Sequence, residues 1–347
     1  MSLMSLPSLA SLLELHNITE LDSSAGYPGP LVRRIPKAVV DHLENGAQVA
    51  AHATLCELRF VAERGPRLAV VLTALESADL FVYRGDFLHS HVRLPANGLY
   101  RHVLELTQAP FSKLRSEALA GCVFAPQVWR VVLDGPVLFH GIDLMGCTIR
   151  PPRAGEKPAR RWLAYGSSIT HGYSPVTRMQ CYVAQTARRL GVDVLNLGLS
   201  GACWCEPAFA DYLASRNDWD FITCELGVNM RYSCPPDEFA RRARYLVEAL
   251  TARRPGKPVI LISPFPTGED FLREPNIATT NTQAYCAALR SLAGEFAARH
   301  VHLIEGAAIL AHFSGLSCDL VHPSTEGHIL MAENLAARLR AILVQTA

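Results

Sequence analysis

The sequence lacks several features that would assign it to a broad class of protein. No window of about 18 consecutive apolar residues occurs, so a membrane-spanning helix is not expected. Lys and Arg form no long stripe and the formal net charge is only +1, which argues against a nucleic-acid or anionic-membrane surface. No Gly-Lys-Ser phosphate loop is present, and Gly198-x-x-Gly201 lacks the third glycine of a dinucleotide-binding turn.

Cysteine is present, but not in the patterns that imply disulfides or zinc. The ten cysteines lack the dense, regular spacing of a disulfide scaffold. Cys203-Trp204-Cys205 is the nearest approach to a Cys-x-x-Cys pair and is too tight for a usual zinc hairpin. Residues 1–15 are apolar but have no basic opening and no convincing cleavage site. We therefore expect reduced thiols, no metal centre, no signal peptide and a cytoplasmic location.

The first part of the chain has the pattern of short β-strands. Residues 55–61 and 67–73 carry apolar side chains on one face, and the turn between them suggests a hairpin. Several such strands without a strong helical stretch predict an all-β sandwich or jelly roll over residues 1–152. Residues 150–159 are rich in proline and charge, which is typical of a linker.

From residue 160 to residue 347 the hydrophobic period changes. Short apolar runs alternate with amphipathic helical patterns, and the runs are 162–165, 192–197, 221–226, 259–262 and 301–304. Strands that alternate with helices predict an α/β unit built on a parallel, doubly wound sheet. Because ligands of such sheets bind beyond the carboxyl ends of the strands, the residues that follow each run are the candidates for a site.

Those positions hold groups that together can carry out acyl transfer. Gly166-Ser167-Ser168 follows the first run, and Asp319 and His322 stand three residues apart on one loop before the last helix. Serine is a weak nucleophile that needs a base oriented by a third group, and His322 and Asp319 can fill these roles for Ser168. The backbone N–H groups of Ser168 and Gly201 and the amide of Asn229 are candidate oxyanion donors.

These blocks resemble those of the SGNH (GDSL-type) hydrolases. The resemblance implies a flavodoxin-like five-stranded sheet over residues 160–347, with Ser168, Gly201, Asn229 and His322 as the defining four residues and Asp319 as the third triad member. Residues 165–172 (YGSSITHG), preceded by a β-rich half, resemble the motif of a subgroup whose members have an N-terminal jelly roll. That subgroup includes sugar-ester deacetylases and a salicylyl acyltransferase of tetracycline biosynthesis.

Two positions depart from the family pattern. Ser167 stands where the family usually has Asp before the nucleophile, and Met230 stands where Asp usually follows the Asn of the third block. Neither residue is the nucleophile, the base or an oxyanion donor. The departures therefore weaken any inference about substrate preference from Gly-Asp-Ser lipases, and leave the catalytic groups intact.

Three further residues are candidate substrate contacts, each with a structural alternative. His171 lies on the first helical turn and could be a rival base, although a structural histidine is the commoner case. Trp204 could form the wall of an acyl pocket or could pack in the core. Arg231 could meet an anionic substrate group or could be solvated. Residues 264–276 form either a lid or a plain surface loop.

The leading hypothesis is a carboxylic-ester hydrolase that forms an acyl-Ser168 intermediate and needs no cofactor. Its substrate would be a small acyl ester such as an O-acylated sugar or natural product. The same residues fit an acyltransferase that moves an acyl group from a thioester to a hydroxyl acceptor. A non-catalytic carbohydrate-binding protein is the alternative from another class. We expect no nucleic-acid partner, and the acyl group, the alcohol and the oligomeric state stay open.

Overall fold

The computed structural model describes Leu9 and residues 11–24, 26–44, 52–106 and 111–345. These residues divide into two compact units, one within 1–37 and 50–159 and the other within 38–49 and 160–347. The second unit thus includes an early segment of the chain that the sequence boundaries assign to the first domain. Most of the N-terminal stretch considered as a signal peptide, residues 1–8 and 10, lies outside the described residues.

The first unit is a sandwich of two antiparallel sheets. One sheet has the order β1-β4-β9-β6-β7 with β11 beside β4, and the other has the order β2-β3-β10-β5-β8. The strands are β1 (Glu14–His16), β2 (Glu20–Asp22), β3 (Leu31–Arg33), β4 (Cys56–Arg64), β5 (Arg67–Ala74), β6 (Ala78–Arg84), β7 (Phe87–Leu94), β8 (Leu99–Glu105), β9 (Val128–Asp134), β10 (Val137–Asp143) and β11 (Thr148–Arg150). The expectation of an all-β sandwich is confirmed.

The hairpin suggested for β4 and β5 is wrong. β4 pairs with β1, β9 and β11, whereas β5 pairs with β8 and β10 in the opposite sheet. Gly65, at φ +98°, provides the left-handed backbone with which the chain leaves one sheet for the other. Alternation predicts the buried face correctly, because Leu58 and Phe60 of β4 and Leu68 and Val70 of β5 share one core.

The second unit has the predicted parallel sheet. Its order is β13-β12-β14-β15-β16, with all neighbouring strands parallel. The strands are β12 (Arg161–Gly166), β13 (Asp193–Gly198), β14 (Phe221–Glu225), β15 (Val259–Ile262) and β16 (Val301–Ile304). The chain moves from β12 to one side and then returns to the other side at β14. This reversal creates a crevice at the carboxyl end of β12, where α/β sheets bind their ligands.

The helices of the described residues fall mostly between or after the strands of this sheet. They are α1 (Lys37–Val40), α2 (Ser168–His171), α3 (Tyr182–Leu190), α4 (Pro207–Ser215), α5 (Pro236–Arg253), α6 (Ile277–Glu295), α7 (Gly306–Ile309) and α8 (Thr325–Gln345). Pro236 begins α5 at a position where its missing N–H costs nothing. Its buried residues Phe239, Ala243, Leu246 and Leu250 recur at the helical spacing that the sequence shows.

Two general expectations concern the described residues as a whole. Among the described residues, no helix has the length and apolar character that crossing a bilayer requires. The ten cysteines are all free thiols, and Cys318 alone among them is exposed.

Candidate active site

The turn that carries Ser168 is shaped by its neighbours at the end of β12. Ser167 has extended backbone angles, and its hydroxyl accepts a hydrogen bond from the Ile169 N–H at 3.2 Å, which caps α2. A Cβ at Gly166 would lie 2.2 Å from the Thr170 hydroxyl, so only glycine lets this helix fold back onto the strand. As a result, Ser168 begins α2 at the carboxyl end of β12.

The structure brings the three predicted triad residues together. Ser168 Oγ lies 2.7 Å from His322 Nε2, and His322 Nδ1 lies 2.7 Å from Asp319 Oδ2. Ser168 is 154 residues from His322 in sequence, so this contact depends on the fold of the unit. Both ring nitrogens of His322 are engaged in these hydrogen bonds. The arrangement is that of a nucleophile, a base and a group that orients the base.

Asp319 is held as an acceptor by its own loop. Its Oδ1 accepts hydrogen bonds of 2.9 Å from the Ser317 hydroxyl and from the N–H groups of Val321 and His322. Partial burial by itself would raise the pKa of this carboxyl, but the hydrogen bonds from His322, Val321 and Ser317 outweigh it and lower the pKa well below its ordinary value. Asp319 is therefore a carboxylate at neutral pH.

The candidate oxyanion donors follow the strands on either side of β12. Gly201 has φ +70°, a left-handed conformation, and a Cβ there would point into open space. The backbone conformation therefore favours glycine, and the space in front of it is open to a ligand. Asn229 Oδ1 accepts a hydrogen bond from the Cys203 N–H at 3.1 Å, which identifies the oxygen as the acceptor side of the amide and the NH₂ group as the donor side.

The three additional sequence candidates lie in distinct surroundings. His171 is buried with its Nδ1 2.6 Å from the Ser200 hydroxyl, so it supports the turn before Gly201. Trp204 is partly buried and donates from Nε1 to the Gly201 carbonyl at 3.0 Å. Arg231 is 4% exposed and donates to the Thr267 hydroxyl at 2.7 Å, so the solvated alternative does not describe it.

The loop 264–276 contacts the triad loop. It contains a short 3₁₀ helix, Gly268–Phe271, and buries Phe265 while leaving Phe271 exposed. The Gly268 N–H donates to the carbonyl of Leu320 at 2.6 Å, which links this loop to the segment between Asp319 and His322. The loop therefore lies next to the segment that carries His322.

Sequence reasoning missed two residues that contact the triad or support one that does. The Tyr173 ring lies 4.5 Å from the His322 ring, centre to centre, and is about half exposed. His328 accepts from the Tyr182 N–H at 3.2 Å and its Nε2 lies 3.0 Å from the Tyr173 carbonyl. Burial lowers the pKa of His328 to about 4, so it is neutral and structural. No sequence pattern distinguishes these residues from other helix or loop positions.

Sequence reasoning also missed Glu225, the last residue of β14. Its side chain is fully buried beneath the turn that carries Ser168. Glu225 Oε2 accepts a hydrogen bond of 2.7 Å from the Ser167 N–H. The signal in the sequence is a single charged residue within the predicted run 221–226.

Comparison with known proteins agrees with this architecture. Residues 164–330 match the model of the GDSL-like Lipase/Acylhydrolase family. The salicylyl-acyltransferase SsfX3 from a tetracycline biosynthetic pathway is similar in structure, with a TM-score of 0.78 and 19% identity over 96% of this chain and 95% of that one. No curated protein matches the chain in sequence.

Two carbohydrate esterases of family two have the same fold at lower similarity. The Cellvibrio japonicus structure gives a TM-score of 0.60 and 16% identity over 96% of each chain. The Clostridium thermocellum structure, in complex with cellohexaose, gives 0.56 and 18% over 83% of this chain and 92% of that one. The matched segment contains Ser168, Gly201, Asn229, Asp319 and His322. The match to the GDSL-like lipase/acylhydrolase family thus lies within the second unit, and the solved structures share the fold of nearly the whole chain.

Proposed function

We propose that the protein hydrolyses a carboxylic ester through an acyl intermediate on Ser168. The observation that carries the proposal is the continuous hydrogen-bonded series from Ser168 Oγ through the His322 ring to Asp319, with 2.7 Å at each step. Serine acquires nucleophilic character only when a base within this reach can take its proton. The site belongs entirely to the second unit.

In the first half-reaction, Ser168 Oγ forms a bond to the carbonyl carbon while His322 Nε2 takes the hydroxyl proton. The carbonyl electron pair moves onto its oxygen, which becomes the oxyanion. As the intermediate collapses, the bond to the leaving oxygen breaks and that oxygen takes the proton from His322. Water then attacks the acyl carbon while His322 takes one of its protons; the bond between the acyl carbon and Ser168 Oγ breaks, Oγ takes the proton back from His322, and the acid is released.

The oxyanion would be stabilised by the Ser168 N–H, the Gly201 N–H and the Asn229 NH₂ group. The Ser168 N–H is at the first position of α2, where the helix itself supplies no acceptor. The Asn229 amide is held by the Cys203 N–H, so its donor is already oriented before substrate arrives. Preorganised donors of this kind are worth about 100- to 1000-fold in rate each.

The proposed substrate is a small acyl ester, such as an O-acylated sugar or natural product. The resemblance in fold to family-two carbohydrate esterases supports the sugar-ester choice. Tyr173, Trp204 and Arg231 are the candidate contacts for the acyl or alcohol part. Free thiols throughout the chain are in keeping with the proposed cytoplasmic location.

A second candidate function is acyl transfer to an alcohol. It is favoured by the similarity to a salicylyl-acyltransferase over nearly the full length of both chains. The triad serves either reaction, because the acceptor that reaches acyl-Ser168 decides the outcome. Incubation with acyl thioesters, with and without sugar or phenolic hydroxyl acceptors, separates the two by the ratio of ester to free acid.

The direct test compares two adjacent serines. Ser168→Ala is expected to lower turnover of p-nitrophenyl acetate by at least about 10⁴-fold, because no other group takes over the covalent step. Ser167→Ala is the matched control, since it removes a helix-capping hydroxyl and costs about 1 kcal/mol of stability. We expect it to keep turnover within about tenfold of the wild type, in line with that modest cost.

Unchanged turnover in Ser168→Ala, with both variants folded, would overturn the proposal. Loss of turnover in Ser167→Ala alone would move the nucleophile to the neighbouring residue. If the wild type itself leaves every ester and thioester intact, the carbohydrate-binding alternative gains support.

A further inference from the structure

Glu225 links strand β14 to the turn that carries Ser168. It ends β14, which lies beside β12, and its side chain is 0% exposed. Its Oε2 accepts hydrogen bonds from the Ser167 N–H at 2.7 Å and from the Thr170 hydroxyl at 3.1 Å. Ser167 and Thr170 lie on either side of Ser168, so one carboxyl oxygen holds both sides of the turn.

The Glu225 carboxyl is closely packed against the turn and is part of a longer series of hydrogen bonds. A Cβ at Gly166 would lie 2.7 Å from Glu225 Oε2, so the missing side chain at Gly166 makes room for the carboxyl. The Thr170 hydroxyl also lies 2.7 Å from the Tyr182 hydroxyl, which extends the series of hydrogen bonds to α3. Tyr182 is itself fully buried, and its ring is T-shaped against Phe265. The turn therefore rests on a buried polar series, with Glu225 at its centre.

Among the described residues, no cation contributes to the electrostatics of Glu225. Tyr182 on α3 and Cys203 after β13 are the titratable neighbours, and burial raises the pKa of each well above its ordinary value, so both are neutral. Glu225 Oε1 has no hydrogen-bond partner within the described part of the chain. Burial raises the pKa of Glu225 to about 7, although the hydrogen bonds from Ser167 and Thr170 oppose the rise.

We propose that Glu225 is a positioning residue for Ser168, whose ionised carboxylate fixes the nucleophile turn through the Ser167 N–H and the Thr170 hydroxyl. This inference rests on the proposed function, because it assigns Glu225 a part in acylation of Ser168. An ionised acceptor makes hydrogen bonds roughly twice as strong as a neutral one. The turn is thus held more firmly in the ionised form, and the effect of Glu225 grows as the pH rises.

The test compares the wild type with Glu225→Gln and Glu225→Ala over about pH 6 to pH 8.5, using p-nitrophenyl acetate. Gln imitates the protonated carboxyl, so we expect kcat within about threefold of the wild type near pH 6 and about tenfold lower near pH 8.5. Ala removes the acceptor and is expected to lower kcat by about 100-fold throughout, because small misplacements of a reacting group have effects of this size. KM is expected to stay within about twofold.

Glu206→Gln is the matched control. Glu206 is also buried with a raised pKa, but it precedes α4, where its carbonyl accepts from the Phe209 and Ala210 N–H groups. Its substitution is expected to leave the pH profile of kcat unchanged. A general effect of removing a buried carboxyl would instead alter both profiles alike, and that result would overturn the inference.

Two further outcomes would overturn it. The first is a Glu225→Gln profile that superimposes on that of the wild type at every pH. The second is a folded Glu225→Ala variant with unchanged kcat. Labelling of the wild type with a fluorophosphonate separates these failures from failure of the proposed function. Reaction of the wild type with the probe leaves the acyl-enzyme proposal standing, whatever the variants do.

Discussion

Each unit of this protein buries a glutamate, but the two are stabilised in opposite ways. Glu57 of β4 accepts hydrogen bonds from Arg59 Nε at 2.7 Å and from Arg130 Nε and Nη2 at 2.8 and 2.6 Å. Glu225 of β14 accepts from a backbone N–H and a hydroxyl, both neutral. The sandwich thus encloses an ion network, whereas the α/β unit encloses a lone carboxyl beneath its candidate nucleophile.

The pKa values of the two glutamates diverge as a result. Burial by itself would raise the pKa of Glu57, but the charges of Arg130 and Arg59 more than offset burial and lower it well below its ordinary value. At Glu225 nothing offsets burial fully, and its pKa rises to about 7. Burial alone therefore does not decide whether a carboxyl is charged, because the groups placed against it do. Unpaired buried carboxyls are characteristic of functional sites more than of scaffolds.

The largest effect on activity is expected at a third carboxyl, that of Asp319. It is ionised like Glu57, yet it has hydrogen bonds to its own loop in place of arginines. Asp319→Asn would present an amide to His322 Nδ1, favour the wrong tautomer and leave the imidazolium unstabilised. We expect kcat to fall by about 10⁴-fold with little loss of stability. Steady-state kinetics alongside thermal unfolding would measure both, and a loss under tenfold would show that His322 acts alone.

The next effect concerns stability in the first unit. Glu57→Gln leaves Arg59 and Arg130 buried without their shared counter-charge, and breaking such a network costs about 3–5 kcal/mol. Chemical denaturation at neutral pH would measure the loss. Glu63→Gln is the control, because its ion pair with Arg150 at 3.3 Å is partly exposed and is worth under about 1 kcal/mol. Equal losses in the two variants would show that the network is no stronger than a surface pair.

The smallest effect has the opposite sign and concerns Glu225→Gln. Because the folded-state pKa of about 7 exceeds the ordinary 4.5, the folded protein keeps a proton that the unfolded chain has already released between these values. Stability therefore falls as the pH rises from 4.5 to 7, by up to about 3 kcal/mol for a gap of this size. Glutamine removes this dependence.

Denaturation midpoints at about pH 5 and about pH 8 measure that dependence directly. We expect Glu225→Gln to equal the wild type in stability at the lower pH and to exceed it at the higher pH. A variant less stable than the wild type at the higher pH would mean that Glu225 has a cationic partner and resembles Glu57 after all.

The sequence indicates much of the second unit because its strands are buried on both faces. Such strands appear as continuous apolar runs, and each predicted run matches an observed strand to within one or two residues at its ends. The first unit is harder to predict. Alternation along β4 and β5 gives the buried faces, but strand pairing depends on residues far apart in the chain, and here it joins each strand to a different sheet.

The residues of the candidate site are likewise only partly predictable from the sequence. Ser168, His322 and Asp319 were predictable because topology brings the carboxyl ends of neighbouring strands together and each residue follows such an end or lies on the last loop. Glu225 was not, because its partners Ser167 and Thr170 are 58 and 55 residues away and no local pattern connects them. Tyr173 likewise meets His322 only through the fold.

The central claim is that Ser168 forms the covalent bond to the acyl group, activated by His322. Fluorophosphonate labelling followed by intact-mass and tryptic-peptide analysis tests it most directly. Residues 162–178 form one tryptic peptide that contains Ser167, Ser168 and Ser174, and fragmentation distinguishes the three. The account predicts a single adduct on Ser168 that is lost in Ser168→Ala and strongly slowed in His322→Ala. An adduct on another residue, or labelling indifferent to His322, would contradict it.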